Sequence, residues 1–300
     1  MRGRGTFLMT DPSHFGVTYE INPWMRPQEW SADATSHLRS AKALWRTLKE
    51  RLELEGGVIH VAAARAALPD MVFPANAAVV LNGRVLMAKF RHAERAAEES
   101  VFLRVFENLR EAGVVRDISI NPGIFQEGAG DCIWDASRRL FWMGSGPRSS
   151  PSAAAMIADH FGEQVMSLPL ATDRYYHLDT CFCPLSGGEI LYYPPALTAE
   201  ALGRLRELAP AHLLIEAADE DAERFSVNAV GLGDTLVMAT PSRSLSDRLA
   251  ERGYRVVGVD VSPFILSGGG AFCMTLRLDL RSGGAETRAL GALQLDEVTS

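Results

Sequence analysis

Cysteine is scarce in this chain. Four of 300 residues carry a thiol, Cys132, Cys181, Cys183 and Cys273, at spacings that make no disulfide framework. A reducing compartment fits that usage, and the cytoplasm is the expected location. Cys181 and Cys183 stand two apart in a strand-like run and are not expected to chelate one metal together. Long apolar runs are missing too. No stretch of about 18 apolar residues occurs, which excludes a membrane-spanning helix, and residues 1–5 lack the apolar core of a secretory leader. Positive charge is in deficit: 30 Lys and Arg against 37 Asp and Glu leave a formal net charge of -7. A nucleic-acid surface needs clustered cations, so no nucleic-acid partner is expected. No G-x-G-x-x-G follows a strand and opens a helix. Glycine pairs such as Gly231 and Gly233 therefore make a poor case for a nucleotide-binding oxidoreductase.

What is present is a repeat. With 47% hydrophobic residues the chain can bury a core. A strand is expected over 6–9, a loop over 10–27, a helix over 30–54 whose Leu38, Ala41, Leu44, Trp45 and Leu48 recur at steps of three and four, and a strand over 58–63. A rhythm then sets in: strands over 77–81 and 84–89, helix 94–112, strand 115–120; strands 132–135 and 140–143, helix 152–161, strand 165–168. The third round has strands 178–185 and 189–193, helix 198–208 and strand 213–216; the fourth has strands 226–230 and 235–239, helix 245–252 and strand 254–259. A strand over 273–280 opens a fifth round, completed by the elements at the start of the chain. The expected fold is thus α/β, a closed ring of five ββαβ units with first and last segments sharing one unit. Closure also removes open sheet edges. An open doubly wound sheet is the alternative, but it has one strand per helix. The ring takes up 6–280 as a single domain, and 281–300 is expected to be a disordered tail.

The reactive residues fall on the same rhythm. Asn76, Glu127, His177, Asn228 and Cys273 each stand at the start of a round, with separations of 51, 50, 51 and 45 residues. In a cyclic array equivalent positions converge, here an amide, a carboxylate, an imidazole and a thiol. Cys273 follows three glycines at 268–270 and is the candidate nucleophile. His177 is the candidate acid and base. Strand alternation puts Asp179 on the same face as His177. Carboxylates raise a thiol pKa, which is wrong for a papain-like protease. They suit a substrate that brings its own cation, since a guanidinium pairs with carboxylates through two hydrogen bonds and stabilises the attacking thiolate. Arg95 and Arg148 open the helices of the first and second rounds, against the helix dipole, which points to an anionic partner. A guanidinium at one end and a carboxylate at the other describe arginine.

Four motifs carry a family likeness: Pro-Asp-Met-Val-Phe-Pro-Ala-Asn at 69–76, Glu-Gly-Ala-Gly-Asp at 127–131, His-Leu-Asp at 177–179, and Gly-Gly-Ala-Phe-Cys-Met-Thr-Leu at 269–276. Together they resemble the guanidine-modifying enzymes of the pentein superfamily, which comprise dimethylarginine dimethylaminohydrolases, arginine deiminases, arginine dihydrolases and amidinotransferases. The likeness covers almost the whole chain. It implies a five-bladed α/β propeller and hydrolysis of the guanidinium of arginine or an Nω-substituted arginine, with an amidinotransferase as the alternative. It further implies Cys273 as nucleophile, His177 as acid and base, and Glu127, Asp179 and Asp70 around the guanidinium. Arg95 and Arg148 fall where the family grips the α-carboxylate, and no cofactor or metal is implied. Asn76 replaces an aspartate of many deiminases and dimethylargininases, as in the dihydrolase branch. The spacing from Glu127 to Asp131 is one residue longer than in dimethylargininases. Tyr-Glu-Ile-Asn-Pro-Trp-Met at 19–25 is expected to cover the site with Asn22 in reach of substrate, an ordered surface loop being the alternative. The partner is a small molecule, and a homo-oligomer is left open.

Overall fold

The computed structural model describes residues 5–283 and 294–295. In chain order it has strand β1 (Gly5–Thr10), a helix at Ala34–Leu54 and β2 (Gly57–Ala62). Four rounds follow: β3 (Ala78–Leu81), β4 (Arg84–Met87), a helix at Glu98–Glu111 and β5 (Asp117–Ser119); then β6 (Cys132–Asp135), β7 (Leu140–Ser145), a helix at Ala153–Phe161 and β8 (Gln164–Pro169). Next come β9 (Phe182–Pro184), β10 (Ile190–Tyr192), a helix at Ala199–Leu208 and β11 (Leu214–Glu216), and β12 (Val230–Leu232), β13 (Thr235–Ala239), a helix at Arg243–Glu251 and β14 (Arg255–Val259). β15 (Leu276–Arg277) and β16 (Gln294–Leu295) close the series.

Local chemistry sets each round. In the first, Asn82 and Gly83 both take positive φ, the geometry of a two-residue hairpin, and β3 pairs antiparallel with β4. The following helix carries the chain back so that β5 runs parallel to β4. The same antiparallel-then-parallel pattern recurs in the next three sheets. The fifth sheet, ordered β15–β1–β2–β16, joins the two ends of the chain: β15 is antiparallel to β1 and β1 parallel to β2. The expected sharing of one unit is therefore met. Five small sheets in a mixed α/β arrangement result, and β3, β6, β9, β12 and β15 all line one cavity, through Val79, Trp134, Phe182, Val230 and Leu276 among others. Outside the strands, the helix Ala34–Leu54 buries Ala41, Trp45, Leu48 and Leu52 against Phe7, Met9 and Ile59. Cys181, at the end of the turn ahead of β9, and Cys183, within β9, pack into different apolar clusters.

Five expectations are corrected. The helix over 30–54 is two helices, Pro27–Ala32 and Ala34–Leu54, because Asp33 leaves helical geometry and caps the second by accepting from the Ser36 N–H. The strand over 178–185 starts only at Phe182. Leu178–Thr180 is a 3-10 turn, closed by the Thr180 N–H and hydroxyl on the His177 carbonyl, so His177 and Asp179 do not share a strand face. Residues 226–229 and 273–275 likewise form turns ahead of β12 and β15. Arg95 lies in its own short turn, Ala93–Ala96, ahead of the helix Glu98–Glu111. The tail expected over 281–300 lies outside the described residues, apart from 281–283 and the β16 strand, which pairs parallel with β2. Among the described residues no helix is long and apolar enough to cross a membrane, and no group of three or more His, Cys, Asp or Glu side chains is placed to hold a metal.

Candidate active site

The turns that lead into β3, β6, β9, β12 and β15 deliver Asn76, Glu127, His177, Asn228 and Cys273. These residues, together with Asp70, Arg95, Arg148 and Asp179, are at most 3% exposed, and Asn22 is 7% exposed. The structure brings them together as two linked halves.

The first half is built on His177. Its Nε2 lies 2.8 Å from Glu127 Oε2 and its Nδ1 lies 3.4 Å from Asn76 Nδ2. Asn76 is oriented by its other end, where Oδ1 accepts from Arg95 at 2.8 Å. An amide nitrogen only donates, so Nδ1 is the accepting nitrogen and Nε2 carries the hydrogen toward Glu127. Glu127 also accepts from Arg148 at 2.9 Å and from the Arg91 N–H at 3.1 Å. Burial alone would raise its pKa, but the Arg148 guanidinium and the His177 hydrogen bond hold it well below the usual carboxylate range. Asp131 stands behind the imidazole, 3.9 Å from Nε2, accepting from the Ser149 hydroxyl and the Leu178 N–H. Burial pushes its pKa up to about 6. The glycine at 130 has a steric reason: a Cβ there would run into Asn76 Nδ2.

The second half is the thiol. Cys273 Sγ lies 3.2 Å from Asp179 Oδ2 and accepts from Asn228 Nδ2 at 3.2 Å. Burial, then the Asp179 carboxylate, push the thiol well above its ordinary pKa. Burial likewise raises Asp179 to about 7, and its Oδ1 is buried with no hydrogen-bond partner. Tyr176 joins the halves: it adjoins His177, donates its hydroxyl to the Gly268 carbonyl at 2.7 Å and lies under the Arg148 guanidinium.

The remaining expected residues sit around these halves. Asp70 accepts from the Tyr19 hydroxyl at 2.9 Å and from Ser267 at 3.0 Å. Asn22 donates to the Ser267 carbonyl at 3.1 Å, and Arg148 donates to the Ile21 carbonyl, so the segment over 19–25 lies against the glycine turn and Arg148. Arg95 is not a free cation. Its fork is taken by Glu98, at 2.9 and 2.8 Å, with further bonds to Asn76 and the Asp70 carbonyl. Sequence reading missed Glu98, although its spacing of three from Arg95 is that of a helical ion pair. It also gave no role to Tyr19, Asp131, Ser149 or Tyr176, whose partners are distant in sequence, and none to Asn228 beyond its place in the repeat.

The Arg95–Glu98 pair gives a stability test. Burial pushes Glu98 up to about 7 even with Arg95 beside it. Arg95→Met is expected to cost about 3–5 kcal/mol at pH 8 by stranding that buried carboxylate. A folded-state pKa above the unfolded value favours the protonated form, so the deficit shrinks as the pH is lowered toward 5. Adding Glu98→Leu should recover most of the loss, as urea titrations would read.

Comparison with known proteins agrees with this geometry. The family model for eukaryotic N,N-dimethylarginine dimethylhydrolase matches residues 11–280. The bifunctional arginine dihydrolase/ornithine cyclodeaminase ArgZ of Synechocystis is 38% identical over 271 residues, 90% of this chain and 37% of that protein. This chain thus spans a little over a third of the length of that relative and of its Nostoc counterpart. The dimethylarginine dimethylaminohydrolase of Mycobacterium tuberculosis is 33% identical over 272 residues, 91% of this chain and 85% of that one. Among solved structures, the cyanobacterial ArgZ N-terminal domain, as a cysteine-to-serine variant with bound substrate, superposes with a TM-score of 0.87 at 36% identity, covering 93% of this chain and 99% of that one. The resemblance carried by the four motifs thus extends through the fold, and the chain belongs to the N,N-dimethylarginine dimethylhydrolase family of guanidine-modifying enzymes.

Proposed function

We propose that this chain is a cysteine hydrolase of the guanidinium group of free arginine, working in the manner of an arginine dihydrolase and giving ornithine. The observation that carries the reading is the Cys273 thiol held beside a buried carboxylate, Asp179, that still has one oxygen unpartnered. A guanidinium N–H supplies the missing donor, and its charge offsets the carboxylate that otherwise opposes the thiolate. Arginine is favoured over its dimethylated form by Asn76 and by the higher identity to ArgZ, named an arginine dihydrolase, than to the mycobacterial dimethylarginine enzyme. An amide at position 76 both donates and accepts, which suits a neutral ureido intermediate. Asp70 and Asn76 are assigned with Asp179 to the guanidinium end, Arg148 to the α-carboxylate and Asn22 to the cover, while Arg95, its fork taken by Glu98, holds Asn76 in place. The reading takes 6–280 as one catalytic unit. A closed five-bladed ring is part of it, supported by the end-joining sheet and by the cavity that all five sheets line.

The chemistry balances without a cofactor. Sγ of Cys273 bonds to the central guanidinium carbon, the thiol proton passes by way of His177 Nδ1 to a departing nitrogen, and ammonia leaves a cationic amidino-thioether. His177, held by Glu127, then takes a proton from water as the C–O bond forms and the C–S bond breaks, giving the ureido product. A second attack on that carbon expels the second ammonia, and water releases a carbamate that breaks down to ornithine and carbon dioxide.

The test is a product assay. Purified protein with labelled arginine should yield ornithine and two ammonia per arginine. Citrulline with dimethylamine from dimethylarginine alone would replace arginine by the dimethylargininase reading, and a new guanidino compound on adding an amine acceptor would replace hydrolysis by amidino transfer. No product from any guanidine, with arginine still bound, would leave a silent arginine-binding protein. A pH dependence follows as well. Since burial sets Asp179 near 7, kcat/KM for arginine should rise as the pH passes upward through about 7 and the carboxylate ionises to meet the cation.

A further inference from the structure

Asn228 stands fully buried in the turn before β12. Its amide makes four hydrogen bonds, all to the two turns that carry the thiol half of the site. Oδ1 accepts from the N–H of Phe272 at 2.9 Å and of Cys273 at 3.2 Å. Nδ2 donates to the Asp179 carbonyl at 2.9 Å and to the Cys273 sulfur at 3.2 Å. Two lone pairs and two N–H bonds are all that an amide offers, so the side chain is saturated and its orientation fixed. Gly270 makes room for it: a Cβ there would lie 2.7 Å from Asn228 Oδ1. The sulfur is thus flanked by one group that accepts from a thiol, Asp179, and one that donates to a thiolate, Asn228. A neutral donor aimed at a developing anion stabilises it without repelling a cationic substrate.

We propose that Asn228 is a catalytic residue of this site, donating to the Cys273 sulfur to stabilise its thiolate while its carbonyl oxygen pins the turn that presents the nucleophile. This rests on the reading of Cys273 as the attacking group.

Asn228→Asp separates the two roles, because it keeps the shape and the two backbone acceptor bonds but has no N–H. Alkylation of Cys273 by iodoacetamide, followed by peptide mass mapping in the empty protein, should shift its midpoint upward by about one pH unit. The kcat for arginine should fall on the order of 10²-fold with KM changed less than about threefold. Asn228→Ser, which buries no new charge, should shift the midpoint in the same direction. An unshifted midpoint together with unchanged kcat in a folded variant overturns the proposal. If no guanidine is turned over at all, the alkylation midpoint still reads the hold of Asn228 on the sulfur. A shifted midpoint would then support this inference while the assigned substrate fell.

Discussion

Cys273→Ser is expected to slow arginine turnover by about 10⁴- to 10⁶-fold, the scale seen when the nucleophile of a cooperating set is removed. The reason lies in how this sulfur is held. It is buried beside Asp179, and both burial and that carboxylate disfavour its anion. Attack therefore depends on the charge of the bound guanidinium to draw out the thiolate. A serine hydroxyl starts from a far higher pKa and gains too little from the same charge to attack at a useful rate. Binding should survive, because the other side chains assigned to substrate are untouched. Equilibrium dialysis with labelled arginine should give an affinity within a few-fold of the wild-type KM. Acid-quenched wild-type protein should carry an adduct of amidino-thioether mass on the Cys273 peptide, and the serine variant none. Turnover above about one per cent of wild type would remove the covalent route.

How much of this was legible beforehand depends on the range of the interaction concerned. The rounds were readable because a hairpin turn such as that at Asn82 and Gly83, an amphipathic helix and a short apolar strand each leave a local signature. Near-equal spacing then pointed Asn76, Glu127, His177, Asn228 and Cys273 to one place without any contact being known. Turns driven by side-chain hydrogen bonds were not readable. The Thr180 hydroxyl on the His177 carbonyl converts an expected strand into a 3-10 turn, and Asp33 splits an expected helix. Both residues compete with regular backbone pairing, an effect that apolar periodicity does not register. Arg95 is the clearest case. Its sequence position presents a cation in want of an anion, and the structure gives it one from its own chain, three residues on. Tyr19 on Asp70 and Tyr176 on Gly268 join segments 51 and 92 residues apart, and only the tertiary fold brings them together.

Glu127→Gln should then show what the imidazole owes to its carboxylate. Oε2 takes hydrogen bonds from both Arg148 and His177, and Oε1 takes one from the Arg91 N–H. A glutamine keeps one accepting oxygen and turns the other position into a donor, so at least one of the three donors meets another donor. Arg148 also loses its buried counter-charge. A stability loss of about 3–5 kcal/mol is expected on that account. Catalysis should suffer separately: an imidazole without its anion is a weaker base and is free to turn, and kcat should fall about 10²- to 10³-fold even at temperatures where the variant is fully folded. The two effects differ in their pH dependence. Glu127 is held below its ordinary range in the fold, so its contribution to stability is complete above the unfolded value of about 4.5 and is lost as the pH falls through the lower folded value. The melting gap between wild type and variant should therefore be flat from neutral pH down to about 5 and close in acid. A kcat that recovers fully wherever the variant is folded would reduce Glu127 to a structural counter-ion for Arg148, with His177 needing no partner.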